Sequence, residues 1–327
     1  MPSFTAQTLR SGCKINLHLQ IKGELPNGYH ELETLFYPLA VPYDEMHVTP
    51  ASDGITIECE RNDLCGENNI ICKAWEAYKK AGGPAPAMKV HLKKGVPDGA
   101  GLGGGSANAS KILTFLNSIA GEEGLTAQQM NAVAASVGAD VPFFLHNKPC
   151  LATGIGEKLL PLPLDLCGWY LVLVCPGVQV PTAWAYGQWD SSHKPDSANA
   201  VQGPVIMYNP EEVAALSGLA TSTELSSGHS PTEWKKNTND NLTTEEQADS
   251  KPVSRALWLF NSFETVVFSV HSELRQYKNL LLMQGASAAL MSGSGSSLFG
   301  FFRDKAEAES AAQLFIQSGV ATYFHRL

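Results

Sequence analysis

The stretch from Pro97 to Ala109, PDGAGLGGGSANA, restricts what this chain can fold into more than any other. Glycines stand at positions 99, 101, 103, 104 and 105. Lacking Cβ atoms, they reach positive φ and let backbone N–H groups converge on one anion. The preceding MKVHL (Met88 to Leu92) alternates as a strand does. Ser106 is a fair N-cap for a following helix that carries Ile112, Leu113, Leu116 and Ile119 on one face. Strand, glycine loop and helix N-terminus together make an anion cradle. A flexible linker is the competing reading, but such linkers are rich in serine and rarely abut a capped helix. No GxxxxGKS or GxxxxGKT string occurs, which excludes a Walker A loop. Gly99, Gly101 and Gly104 satisfy GxGxxG, yet a dinucleotide-binding unit needs a second strand with an acidic residue after the helix. Here AGEEG (Ala120 to Gly124) turns into a second helix over 126–137, ended by Gly138. Protein-kinase HRD and DFG strings are absent.

With 327 residues, 44% of them hydrophobic, the chain can bury two cores. The prolines at 161 and 163 place a boundary between domains 1–160 and 161–327. A net charge of -9 argues against an extended nucleic-acid surface, while a phosphate site built from backbone dipoles needs no basic patch. The 7 cysteines are odd in number and form no CxxC pair, so they read as reduced thiols of a cytosolic protein. MPSFTAQTLRSG has no hydrophobic signal core and no apolar run reaches membrane-spanning length. The expectation is a cytoplasmic protein without a membrane or nucleic-acid partner.

CKINLHLQIKG (Cys13 to Gly23) alternates as a strand, with Lys14, Asn16, His18 and Gln20 on a wet or functional side. A lysine there is most often merely solvated. Asn27-Gly28 makes a turn into an ordered segment opened by Tyr29 and His30, which taken singly read as a core tyrosine and a surface histidine. A helix capped at Asn68 or Asn69 turns Ile71, Trp75 and Tyr78 inward and stops at Gly82. Asp140 follows the helix break at Gly138, where a carboxylate either caps the next turn or does chemistry. Strands follow around 151–160 and 169–175. The stretch of about 190–252 is a polar insertion with one short helix around 211–219. Helical periodicity runs through Ala256, Leu257, Phe260, Phe263 and Val267, and a further helix covers 271–283. Ser287 to Phe302 reads as two short strands joined by SGSGSS, either a plain hairpin or a loop over phosphates. A last helix and strand complete an α+β arrangement.

Taken in order, the glycine loop, SGSGSS, CKINLHL, NGYHELETLF, GADVPFFL, PGVQVPT and NSFETVVF make the chain similar to the GHMP small-molecule kinases. Within that superfamily it most resembles the branch that phosphorylates a cytidylyl polyol for isoprenoid precursor synthesis. The resemblance implies a two-domain α+β fold, with an N-terminal ribosomal-protein-like α/β domain and a C-terminal ferredoxin-like domain. ATP would be co-substrate, accompanied by Mg²⁺ with no assignable ligands. It implies that Asp140 is the base for the attacking hydroxyl and Lys14 its partner. Pro97, Asp98, Gly99, Ala100, Gly101, Leu102, Gly103, Gly104, Gly105, Ser106 and Ala107 would wrap the ATP phosphates, with Asn69 near the nucleotide. Tyr29 and Tyr186 would sandwich a cytosine, His30 would bond its edge, and Asn16 would hold the polyol. Two features depart from the pattern. Gly12-Cys13 replaces Pro-Ala, and Asp98 sets an acid where the family has an uncharged residue. A kinase for homoserine, mevalonate or a sugar is the alternative, and a non-catalytic nucleotide-binding paralogue is another.

Overall fold

The computed structural model describes residues 3–193, 216–221 and 255–327. Two long strands, β1 (Gln7–Glu24) and β2 (His30–Pro50), pair antiparallel along their whole length. The Asn27-Gly28 turn joins them, with Gly28 at φ 79° and the Tyr29 N–H donating to Asn27 Oδ1. Asparagine followed by a left-handed glycine is what a tight hairpin demands. β2 is the hub of the first sheet. Its later half pairs with β4 (Met88–Lys93) and its earlier half with β5 (Cys150–Gly154). β3 (Ile55–Cys59) lies parallel to β4, and β6 (Lys158–Pro161) antiparallel to β5. On the far side of β1 lies β9 (Arg255–Asn261), paired in turn with β8 (Leu216–Thr221). The second sheet has the order β10 (Ala288–Met291), β11 (Leu298–Phe302), β7 (Tyr170–Cys175), β12 (Ala321–Arg326), antiparallel throughout.

The helices α1 (Ile70–Lys80), α2 (Gly104–Ala120) and α3 (Ala127–Val137) share a core with β2, β3 and β4 through Trp75, Tyr78, Ile112, Leu116, Met46 and Val90. α4 (Val141–His146) follows at once. β7 explains how the two sheets hold together. Leu171 and Leu173 face β1 and β2, where Ile15, Leu17, Leu35 and Leu39 meet them with Phe299 and Phe301. Val172 and Val174 face the other way, onto α6 (Phe263–Val270), α7 (Ser272–Met283) and α8 (Lys305–Gln317). Burying both faces is what makes YLVLVC read as an unbroken apolar run. Each large side chain so buried contributes about 1.5–3 kcal/mol. α5 (Thr182–Ser192) lies beside α6 and brings Tyr186 into that helical core's edge.

Several sequence expectations need correction. The polar side of β1 is the functional alternative rather than the wet one: Lys14, Asn16, His18 and Gln20 are all buried, with the Leu102 and Ser292 loops bonded to the backbone of Lys14 and Asn16. Residues 255–261 form a strand rather than the start of a helix. The open edge of β1 recruits them, pairing His18 with Phe260 and Leu19 with Asn261, and the helix begins only at Phe263. Of the short helix expected over 211–219, residues 216–219 belong to β8, and the earlier ones lie outside the described residues. Most of the insertion at about 190–252 also lies outside them. α2 starts earlier than read. Gly103, in a left-handed conformation, takes the N-cap position and Ser106 falls inside the first turn. β8 and β9, although they follow residue 160, complete the first sheet.

Candidate active site

Between β4 and α2 the chain rises into positive φ at Gly99, Gly101 and Gly103, with values of 64°, 75° and 70°. At Gly101 the requirement is also steric, since a Cβ there would lie 2.1 Å from the Ser292 carbonyl oxygen. The glycine loop thus packs backbone to backbone against the loop between β10 and β11. The Ser297 N–H donates to Ala100 O at 3.2 Å, and the Lys14 N–H to Leu102 O at 2.9 Å. No side chain caps α2. Its first N–H groups therefore remain for another acceptor at the positive end of the helix dipole. Pro97 through Ser106 line a cleft of about 370 Å³ together with Lys14, Asn16, Asp140, Tyr186 and Ser294.

Lys14 projects into this cleft from β1 with 4% exposure. Its Nζ donates to Asn16 Oδ1 at 2.5 Å, stands 3.7 Å from Asp140 Oδ2 and lies over the Phe36 ring. Burial pulls the Lys14 pKa down, and the Asp140 carboxylate opposes that fall by favouring the ammonium. Asp140 occupies the N-cap position of α4 but makes no cap hydrogen bond. Its carboxylate is directed to the cleft, which answers the capping alternative. Tyr186 lines the same space, its phenol pushed up by burial and then by Asp140 and Asp190.

Not every expected residue converges. Asn69 caps α1, accepting from the Ile71 N–H at 2.8 Å and donating to Leu64 O at 2.7 Å, so Ile70 rather than Asn69 meets the cleft. Ala107 is buried within α2, outside the lining. Tyr29 is 59% exposed and does not face Tyr186. The face of Tyr186 is taken instead by the His30 imidazole, stacked at 4.4 Å with an interplanar angle of 22°. Asp190 Oδ1 lies 2.6 Å from His30 Nε2, and Phe263 meets Tyr186 edge-on. The two-walled sandwich is therefore absent from this conformation, because the hairpin tip carries Tyr29 outward while His30 starts the strand.

Asp98 is not a bare acid beside the loop. Arg61 pairs with its Oδ2 and Lys94 Nζ lies 3.1 Å from its Oδ1. Lys94 also bonds Asp44 at 2.5 Å. Asp44, wholly buried, was missed by the sequence reading. Its carboxylate accepts from the Gly95 and Val96 N–H groups at 2.8 Å each and from Asn108 Nδ2 at 3.0 Å, tying the root of the glycine loop to β2 and α2. The available signal was an acid inside the otherwise alternating strand VPYDEMHV.

A strand, a left-handed glycine loop and an uncapped helix, facing a lysine and carboxylate across one cleft, make the site of a small-molecule phosphotransferase. Family models agree on the class: GHMP kinases N terminal domain matches residues 69–148 and GHMP kinases C terminal matches residues 246–318. A 4-diphosphocytidyl-2-C-methyl-D-erythritol kinase of Oleidesulfovibrio alaskensis is 60% identical over 327 residues, covering 100% of both chains. A solved 4-(cytidine 5'-diphospho)-2C-methyl-D-erythritol kinase superposes with a TM-score of 0.70 at 27% identity, covering 97% of this chain and 98% of the other. A homoserine kinase of Cytophaga hutchinsonii shares the fold, with a TM-score of 0.64 at 14% identity over 99% and 95% of the two chains. The chain belongs to the 4-diphosphocytidyl-2-C-methyl-D-erythritol kinase family. No helix among the described residues is long and apolar enough to cross a membrane.

Proposed function

We infer that this chain transfers the γ-phosphoryl group of ATP to the 2-hydroxyl of 4-diphosphocytidyl-2-C-methyl-D-erythritol, a step toward isoprenoid precursors. The observation that carries the reading is the Lys14–Asp140 pair set across one cleft from the glycine loop. Backbone N–H groups of the loop and of the α2 N-terminus hold the ATP phosphates. Asp140 accepts the proton of the hydroxyl as its oxygen bonds the γ-phosphorus, and the bond from that phosphorus to the β–γ bridging oxygen breaks to release ADP. Lys14, paired with Asp140 across the cleft, stabilises the developing alkoxide. Asn16, which holds Lys14 through its Oδ1, orients the acceptor end, and Tyr186 with His30 forms the base-binding end.

Mg²⁺ would arrive with the nucleotide and supply charge neutralisation on its phosphates. Among the described residues no group of three or more His, Cys, Asp or Glu is placed to hold a metal, and Asp98 is engaged by Arg61 and Lys94. We assign residues 1–160 to the ATP-binding half and 161–327 to the second half, with β8 and β9 lent to the first sheet, and place the work in the cytoplasm. The test is a panel of acceptors with Mg-ATP: the cytidylyl polyol, homoserine, mevalonate and a hexose. The cytidylyl polyol should lead the others in kcat/KM by roughly a hundredfold or more. Preference for another alcohol would remove the substrate assignment, and no transfer to any would favour a nucleotide-binding paralogue.

A further inference from the structure

The cleft is built from two loops of distant sequence, and one hydroxyl sits where they meet. Ser292, wholly buried at the end of β10, donates from Oγ to Gly101 O at 3.0 Å. The same Oγ accepts the Asn16 N–H at 3.2 Å and lies 3.5 Å from Asn16 Oδ1. Asn16 Oδ1 is the acceptor that holds Lys14 Nζ at 2.5 Å. On its other side the Ser292 loop is fixed by Asn261, whose Nδ2 donates to Met291 O and Gly293 O at 2.7 Å each. A single hydroxyl thus touches both the carbonyl of a glycine in the phosphate-binding loop and the side chain that aims the lysine.

We propose that Ser292 is a positioning residue that sets the register between the phosphate-holding loop and the Lys14–Asp140 pair. It lies behind the lining of the cleft rather than in it. Its hydroxyl has one proton to give, and giving it to Gly101 O fixes the loop while the lone pair fixes the backbone of Asn16. In-line transfer depends on the attacking oxygen meeting phosphorus within a few tenths of an ångström, so a loop free to shift against the lysine binds ATP yet presents it badly. Misaligned phosphate then meets water as readily as the alcohol.

The proposal rests on the phosphotransfer reading, so the wild-type chain is assayed first with Mg-ATP and the cytidylyl polyol. Failure there would sink that reading and the Ser292 proposal with it, whereas failure of the variants alone would sink only the proposal. Ser292→Ala is then compared for kcat, for ATP affinity by equilibrium titration, and for the ratio of ADP released to phosphorylated polyol formed. The expected result is a loss of at least about tenfold in kcat, ATP affinity within about threefold of wild type, and a ratio rising from one to above about two. Ser292→Cys, which retains a weak donor of similar shape, should recover part of the coupling and stands in if the alanine variant does not fold. A ratio of one with unchanged kcat in a folded variant would overturn the proposal. So would a parallel fall in kcat, ATP affinity and melting temperature with the ratio still at one, which marks a merely structural hydroxyl.

Discussion

Asp140→Asn removes one negative charge from the cleft at nearly constant volume, and its consequences can be followed group by group. Lys14 Nζ is 3.7 Å from Asp140 Oδ2, so at an effective dielectric near 20 their attraction is about 4 to 5 kcal/mol before desolvation is counted. Much of that attraction offsets the burial of Lys14, whose pKa burial has already lowered. Without the carboxylate the lysine pKa falls further, and the ammonium that should meet the developing alkoxide is partly lost. The proton acceptor is lost as well. General-base catalysis is worth about 10² to 10⁴ in rate, or about 3 to 5 kcal/mol of barrier. The variant should lose about a thousandfold in kcat. ATP affinity should stay level or rise, since a carboxylate facing polyphosphate repels it. Lys14→Met should lose a similar factor, and the double variant little more than either, because the two side chains act as one unit. The assay is single-turnover transfer to the polyol, with ATP binding titrated separately. Turnover of Asp140→Asn within tenfold of wild type would place the base elsewhere. Fully multiplicative losses in the double variant would refute the coupling of the pair.

Three further outcomes are expected. Tyr186→Ala should raise KM for the cytidylyl substrate about tenfold and leave KM for ATP nearly unchanged, because its ring borders the end of the cleft shared with His30; equal losses for both substrates would mark a folding role. Gly101→Ala should lower ATP affinity at least tenfold and reduce the melting temperature, since φ 75° costs an L-residue about 1–2 kcal/mol and the new Cβ would meet Ser292 O at 2.1 Å. Wild-type ATP titration by that variant would contradict the loop packing. His325, its Nε2 buried without a hydrogen-bond partner, has its pKa lowered by burial to about 4 from an ordinary value near 6.5. The unfolded chain takes that proton first, so stability is full above about pH 6.5 and falls as pH drops through about 4, by about 3 kcal/mol at pH 4. His325→Gln should remove that part of the acid loss in denaturant melts at pH 7 and pH 4; parallel curves for the two proteins would show that His325 is protonated in the fold.

What could be read in the sequence was what short-range chemistry decides. Thr126 and Gln129 form a reciprocal cap on α3, Asn69 caps α1, and Asp304 accepts from Glu307 N at the start of α8. Each is local, and α1 and α3 begin within a residue or two of their expected places. The glycine loop was legible because only glycine tolerates its φ values. Contacts across long separations were not. The strand at 255–261 carries apolar residues that suit a helix equally well, and only the free edge of β1 decides between them. The burial of Asp44 is not decided locally, because the N–H groups of residues 95 and 96 that it binds belong to another strand's end. The departure at Asp98 is an acid beside a phosphate-binding loop, and only the fold brings Arg61 and Lys94 to it. The resemblance pairs Tyr29 with Tyr186, whereas the turn geometry puts His30 on Tyr186.

The most direct measurement is ³¹P NMR of a reaction containing the purified chain, Mg-ATP and 4-diphosphocytidyl-2-C-methyl-D-erythritol. The account predicts one new phosphomonoester resonance coupled to the methylerythritol moiety, growing one for one with ADP and vanishing in Asp140→Asn. ADP formed with inorganic phosphate alone, or a phosphomonoester formed equally well by Asp140→Asn, would contradict it.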